Sequence, residues 1–110
     1  MSILTVTPTE VFYEDHADGD NLFSLIREQV GGHVQAVALE GDRVMWVHED
    51  GKALAQPVNP RATEVMRAAG STFPGDWVAG TAVITGRSGP ETAPLNDDQL
   101  GRTYRELAIH

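Results

Sequence analysis

The side chains best placed to do chemistry fall between residues 52 and 63, in KALAQPVNPRAT. Asn59 is a favoured helix N-cap and Pro60 suits the first helical position, where its missing N–H costs nothing. A helix N-terminus presents free N–H groups and a partial positive charge, which suit phosphate or carboxylate. Arg61 and Thr63 follow in the first turn and Lys52 comes up the preceding segment. Lys52, Asn59, Arg61 and Thr63 are therefore a candidate set for an anionic ligand such as a nucleotide. Plain capping chemistry, with Arg61 pointing into water, accounts for the same residues without a ligand.

Other reactive groupings are weaker. The four histidines are His16, His33, His48 and His110, with no H-E-x-x-H and no close pair. His48-Glu49-Asp50 looks like a ligand cluster, but neighbouring strand residues point to opposite faces, so one face holds two ligands at most. No metal or other cofactor is expected. The absence of cysteine removes disulfides, thiolate catalysis and cysteine-ligated zinc. Ser24, Ser71 and Ser88 lack the strand–turn–helix setting of a nucleophile elbow. Thr85-Gly86-Arg87-Ser88-Gly89 has neither the spacing nor the lysine of a phosphate loop. Carboxylates pair at Glu14-Asp15, Glu49-Asp50 and Asp97-Asp98, and the last pair suits the first turn of a helix. No catalytic residue is assigned, and the expectation leans away from an enzyme. Trp46, His48 and Tyr104 are candidate interface residues, whereas Trp77 reads as core or rim packing.

The bulk properties set bounds on partners. At 110 residues the chain reads as a single domain, 1–110. With 41% hydrophobic and 22% charged residues it has an ordinary globular composition. A net charge of −8 opposes nucleic-acid binding. Residues 51–75 depart from that trend, holding Lys52, Arg61 and Arg67 against Glu64 alone. The N-terminal stretch has neither the basic start nor the apolar run of a signal peptide, and nothing reaches membrane-spanning length. A cytoplasmic protein without membrane contact is expected.

The elements that must position these residues follow from periodicity. ILTVT (3–7) and TEVFYE (9–14) read as strands. A helix follows, with Asp20 as N-cap, Leu22, Leu25, Ile26 and Val30 as its stripe, and Gly31 as its left-handed stop. HVQAVALE (33–40) and RVMWVHE (43–49) read as strands joined by a Gly41-Asp42 type II′ turn. Asp50-Gly51 then turns the chain into KALAQ (52–56), completing an antiparallel meander. Ala62, Val65, Met66 and Ala69 make one face of the second helix, closed by Gly70. DWVAGTAVITG (76–86) reads as the most apolar strand, with Gly80 allowing a bulge or close approach. Residues 87–96 read as a linker to a C-terminal helix, 97–109, which opens on an Asn96/Gln99 capping box and carries Leu100, Tyr104 and Leu107. The fold class is α+β: a mixed or antiparallel sheet of about five strands with a central β-meander and three helices, the helices on one face.

Several spaced motifs then line up with a known pattern. VGGHVQAV (30–37), HEDGKALAQPVN (48–59), RAT (61–63) and DWVAGTAVITG (76–86) resemble the uncharacterised family called domain of unknown function 3846. Its members are small proteins of phages, plasmids and bacteria, notably actinobacteria. The similarity covers roughly residues 20–86 and departs at His48, where the family pattern has asparagine. It implies an accessory protein of mobile elements and implies no activity.

Two functional expectations follow. The first is a small non-enzymatic accessory or interaction protein, phage- or mobile-element-encoded, that binds a host protein in the host cytoplasm and forms a homo-oligomer. The second is a binder or sponge of an anionic small molecule, such as a nucleotide signal, at the N-terminus of helix 60–69.

Overall fold

A computed structural model describes residues 2–15, 22–70 and 76–107 of the chain. The elements run β1 (Ser2–Val6), β2 (Val11–Asp15), α1 (Leu22–Val30), β3 (Val34–Leu39), β4 (Arg43–His48), α2 (Pro60–Ala68), β5 (Ala82–Ser88), β6 (Glu91–Ala93) and α3 (Asp97–Leu107). The six strands form one antiparallel sheet in the order β2-β1-β5-β4-β3. β6 pairs with β5 at Gly86–Ser88, beyond the stretch that β1 occupies. The expected α+β class with a β-meander is thus what the chain forms.

Each helix begins and ends for a local reason. Asn59 Oδ1 accepts from the Ala62 N–H at 3.0 Å, and Pro60 opens α2 as expected. Asn96 and Gln99 form a reciprocal capping box on α3, at 2.8 and 2.9 Å. α1 stops at Gly31, whose φ of 92° leaves its N–H donating to the Arg27 carbonyl. The proposed cap of α1, Asp20, lies outside the described residues.

The helices cover both faces of the sheet, which corrects the one-face expectation. α2 and α3 pack on Leu4, Val6, Leu39, Met45 and Ile84, with Ala62, Val65, Met66 and Ala69 turned inward. α1 packs on the opposite face, where Leu22, Ile26 and Val30 meet Ile3 and Val83. Trp46 belongs to this second cluster. Its ring lies edge-on to Phe23 at 5.8 Å and its Nε1 donates to Thr85 Oγ1 at 3.0 Å. It is half-buried packing rather than an open platform.

Four segments differ from the sequence reading. The first, 76–86, is a strand only from Ala82, because 76–81 run irregularly into it. KALAQ is not a strand: residues 51–55 coil into successive turns, with Leu54 N donating to the Asp50 carbonyl and Gln56 N to that of Gly51. Gly51 is buried, and a Cβ there would meet the Ala79 carbonyl at 2.9 Å. The meander's third strand is therefore β5, reached through α2. The 87–96 segment is a hairpin rather than a plain linker, since β5 runs to Ser88 and β6 spans Glu91–Ala93. At the β3–β4 turn, Gly41 and Asp42 have φ values of 82° and 55°. A type II′ turn has positive φ at its first central residue alone, so this connection is a different one.

α3 keeps Leu100 and Leu107 of its expected stripe against the core but departs from it at Tyr104. Its inward face runs through Thr103, Glu106 and Leu107, while Tyr104 is exposed. The reason is Arg43, which is fully buried at the start of β4. Its guanidinium donates to Glu106 at 2.5 and 3.0 Å, to Thr103 Oγ1 at 2.9 Å and to the Glu40 carbonyl at 2.8 Å. Gln99 adds hydrogen bonds to the Gly41 and Asp42 carbonyls. α3 is docked on the β3–β4 hairpin by polar contacts as much as by Leu107.

A buried ion pair is costly to break from one side, because the remaining charge has no water. Glu106→Ala should therefore lower stability by about 3–5 kcal/mol in urea denaturation. Replacing the pair together, Arg43→Met with Glu106→Leu, should recover most of that loss. A single-variant loss below about 1 kcal/mol would instead be the behaviour of an exposed pair.

Candidate functional site

The site is best built from the strap that crosses the end of the sheet. Val58 bridges Ala79, Asn59 N donates to the Val78 carbonyl at 2.8 Å, and Gly80 N donates to the Pro57 carbonyl at 2.7 Å. Two irregular segments, 57–59 and 78–80, are thus zipped together before β5 begins. Asn59 ties them to the sheet: Nδ2 donates to the Val6 carbonyl at 2.7 Å and to the Gly80 carbonyl at 2.9 Å. Thr63 Oγ1 donates to the Asn59 carbonyl at 2.7 Å and accepts from Val78 N at 2.9 Å. Gly80 has a φ of 82°, and Gln56 packs so close that a Cβ on Gly80 would lie 2.0 Å from its Oε1. That close approach is what the glycine permits. Gln56 Oε1 is itself buried with no hydrogen-bond partner among the described residues.

The zipped strap leaves a cleft of about 360 Å³ beside β3 and β4. Its floor holds Val37, Val47, Met66 and Val78, and its rim holds Gln35, His48, Glu49, Asp50, Lys52, Asp76 and Trp77. Lys52 Nζ forms an ion pair with Asp76 and lies 4.4 Å from the centre of the Trp77 ring. A lysine over an indole face is attracted by the ring quadrupole. Arg67 Nη2 reaches the Asp76 carbonyl at 3.5 Å, so Asp76 and Trp77 are held from the α2 side as well. Trp77 remains 44% exposed, an amphipathic ring presented at the cleft mouth. His48 Nδ1 accepts from Asp50 N at 2.9 Å, which places its lone pair in the turn.

The structure does not bring the four proposed anion ligands together. Asn59 and Thr63 are buried in the strap, with their polar atoms committed to main-chain partners. Arg61 lies against the Thr9 carbonyl at 3.5 Å, while Lys52 pairs with Asp76 at the cleft. Of the proposed interface residues, His48 lines this cleft. Trp46 lines a smaller recess of about 230 Å³ on the α1 face, with Ala36, Ala38, Val44 and Pro90. Tyr104 is exposed on α3. The grouping that sequence reasoning missed is Lys52 with Asp76 and Trp77. Nothing in residue spacing announces it, because the contact depends on how the strap folds. Among the described residues no group of three or more histidine, cysteine or acidic side chains is placed to hold a metal ion.

This geometry separates capping from ligand binding by stability. Asn59→Ala removes three hydrogen bonds at a fully buried position and should cost about 3 kcal/mol in urea denaturation. Arg61→Ala should stay within about 0.5 kcal/mol of the parent. An Asn59→Ala protein as stable as the parent would contradict the strap account.

No curated protein and no solved structure matches the chain. A family model described as Domain of unknown function (DUF3846) matches residues 1–108. The match extends the similarity read from residues 20–86 to include β1, β2 and α3. The chain belongs to the DUF3846 family.

Proposed function

We propose that the chain is a non-enzymatic accessory protein, encoded by a phage or other mobile element, that binds a host protein in the host cytoplasm through the cleft beside β3. The observation that carries this reading is Trp77, held open at the cleft mouth by Lys52 and Asp76. Binding energy at protein interfaces concentrates in a few large residues, tryptophan foremost, set in a partly apolar depression. The adjoining segments add exposed Leu54 and Val58, at 60% and 56% exposure. Glu49, Asp50 and Asp76 stand on the rim against Lys52, so the mouth is acidic on balance. An acidic rim on a chain of net charge −8 favours a partner with basic groups around an apolar contact.

The same balance disfavours an anionic small molecule at the cleft, and the four residues proposed for one lie apart. Protein binding is therefore the stronger reading. Within the described residues no helix is long and apolar enough to cross a membrane.

Affinity capture from a host lysate checks this reading through its variants. The parent chain should retain a stoichiometric partner. Trp77→Asp should reduce recovery at least tenfold without lowering the melting temperature. Phe12→Asp, an exposed aromatic position on β2 outside the cleft, should recover the partner as the parent does. Repeated recovery of background alone, or equal recovery by Trp77→Asp, would overturn the proposal.

A further inference from the structure

We propose that two copies of the chain pair antiparallel through β3, about a two-fold axis at Ala36, joining two six-strand sheets and opening their clefts into one groove. The pairing is independent of the host-protein reading, because it concerns the strand edge and not what the cleft holds.

β3 is one outer strand of the sheet, and no described strand pairs with its free side. Glu49 N donates to the His33 carbonyl at 2.9 Å, so that pair is hydrogen-bonded across the β3–β4 ladder. With the register Val34↔His48 to Leu39↔Arg43, the hydrogen-bonded set continues as Gln35, Val37 and Leu39. The main-chain groups of Val34, Ala36 and Ala38 therefore turn to the free side.

Exposed edges are normally blunted by charge, proline or a bulge. β3 has none of these: Val34-Gln35-Ala36-Val37-Ala38-Leu39 is uncharged, and its pairing with β4 is unbroken. The other outer strand, β2, ends in Glu14-Asp15 and follows Pro8. In a chain of net charge −8, β3 itself carries no charged side chain to repel a second copy.

The edge is also complementary to itself. A two-fold axis at Ala36 sets Ala36 against Ala36 and Val34 against Ala38 of the second copy, aligning about six main-chain hydrogen bonds. Ala36 and Ala38 are exposed and small, so their own side chains do not block the approach on the α1 face. The same operation turns the Glu40 end of each strand toward the partner's opposite end, where His33 and Arg27 lie. On the other face Gln35 meets Val37 across the axis, and both line the cleft. The two clefts thereby become one groove with a Lys52–Trp77 pair at each end.

The parent chain has no cysteine, so single-cysteine variants report the register without background. Ala36→Cys should form a disulfide-linked dimer under mild oxidation, since hydrogen-bonded partners have Cα atoms about 5.5 Å apart. Ala38→Cys, whose partner position is Val34, should remain largely monomeric in non-reducing electrophoresis. Native mass spectrometry of the parent should show twice 11.9 kDa, and Ala36→Lys should return it to the single mass by placing like charges face to face. A parent that stays at the single mass at tens of micromolar, or Ala36→Lys that stays dimeric, would overturn the proposal. Cross-linking by Ala38→Cys in place of Ala36→Cys would overturn its register.

Discussion

The buried amide of Asn59 is the constraint on which the cleft depends. One side chain caps α2, holds the last carbonyl of β1 and holds Gly80 at the entry to β5. An amide can serve all three because it carries an acceptor and two donors at one end. Aspartate has the same shape but no N–H, and would set a carboxylate against the Val6 and Gly80 carbonyls. Thr63 completes the arrangement by bonding both the Asn59 carbonyl and Val78 N. The sequence allows these two residues as ligands or as plain capping groups, and their polar atoms go to the main chain.

From that anchor the cleft follows by short steps. Zipping 57–59 onto 78–80 pulls the 51–56 turns under the strap, where Gly51 and Gly80 leave room for the Ala79 carbonyl and Gln56. The turns carry Lys52 to Asp76 and over the Trp77 ring. The outcome is an aromatic side chain kept half-exposed by a charge beside it. A second polar anchor, Arg43 with Glu106, fixes α3 behind the same hairpin. Of the two, Asn59 alone acts on the cleft; the Arg43–Glu106 anchor lies outside its lining and ties α3 to the start of β4.

Much of this was legible in the sequence, and the failures have physical causes. The α2 face and its Asn59-Pro60 start were readable because helix periodicity and capping are local. The Asn96/Gln99 box was readable for the same reason. KALAQ misled because Asp50-Gly51 has hairpin chemistry, whereas Gly51 is needed for its contact with Ala79 far along the chain. β6 is three residues long, too short for an alternating pattern to declare itself. The α3 stripe was right at Leu100 and Leu107 but missed Thr103 and Glu106, whose inward place only the buried Arg43 makes sensible. An amphipathic stripe such as that of α1 also says nothing about which side of a sheet it will cover. The Lys52–Asp76–Trp77 grouping was out of reach for a similar reason, since its members meet only after the strap has folded.

The central claim is that the cleft, and not another surface, meets the partner. Site-specific photo-crosslinking in host cells tests it most directly. A benzophenone side chain would be placed in turn at Trp77 and, on the opposite edge of the sheet, at Phe12. The account predicts a discrete higher-mass adduct to a host protein from position 77 and none from position 12. An adduct from position 12 with none from position 77 would contradict it.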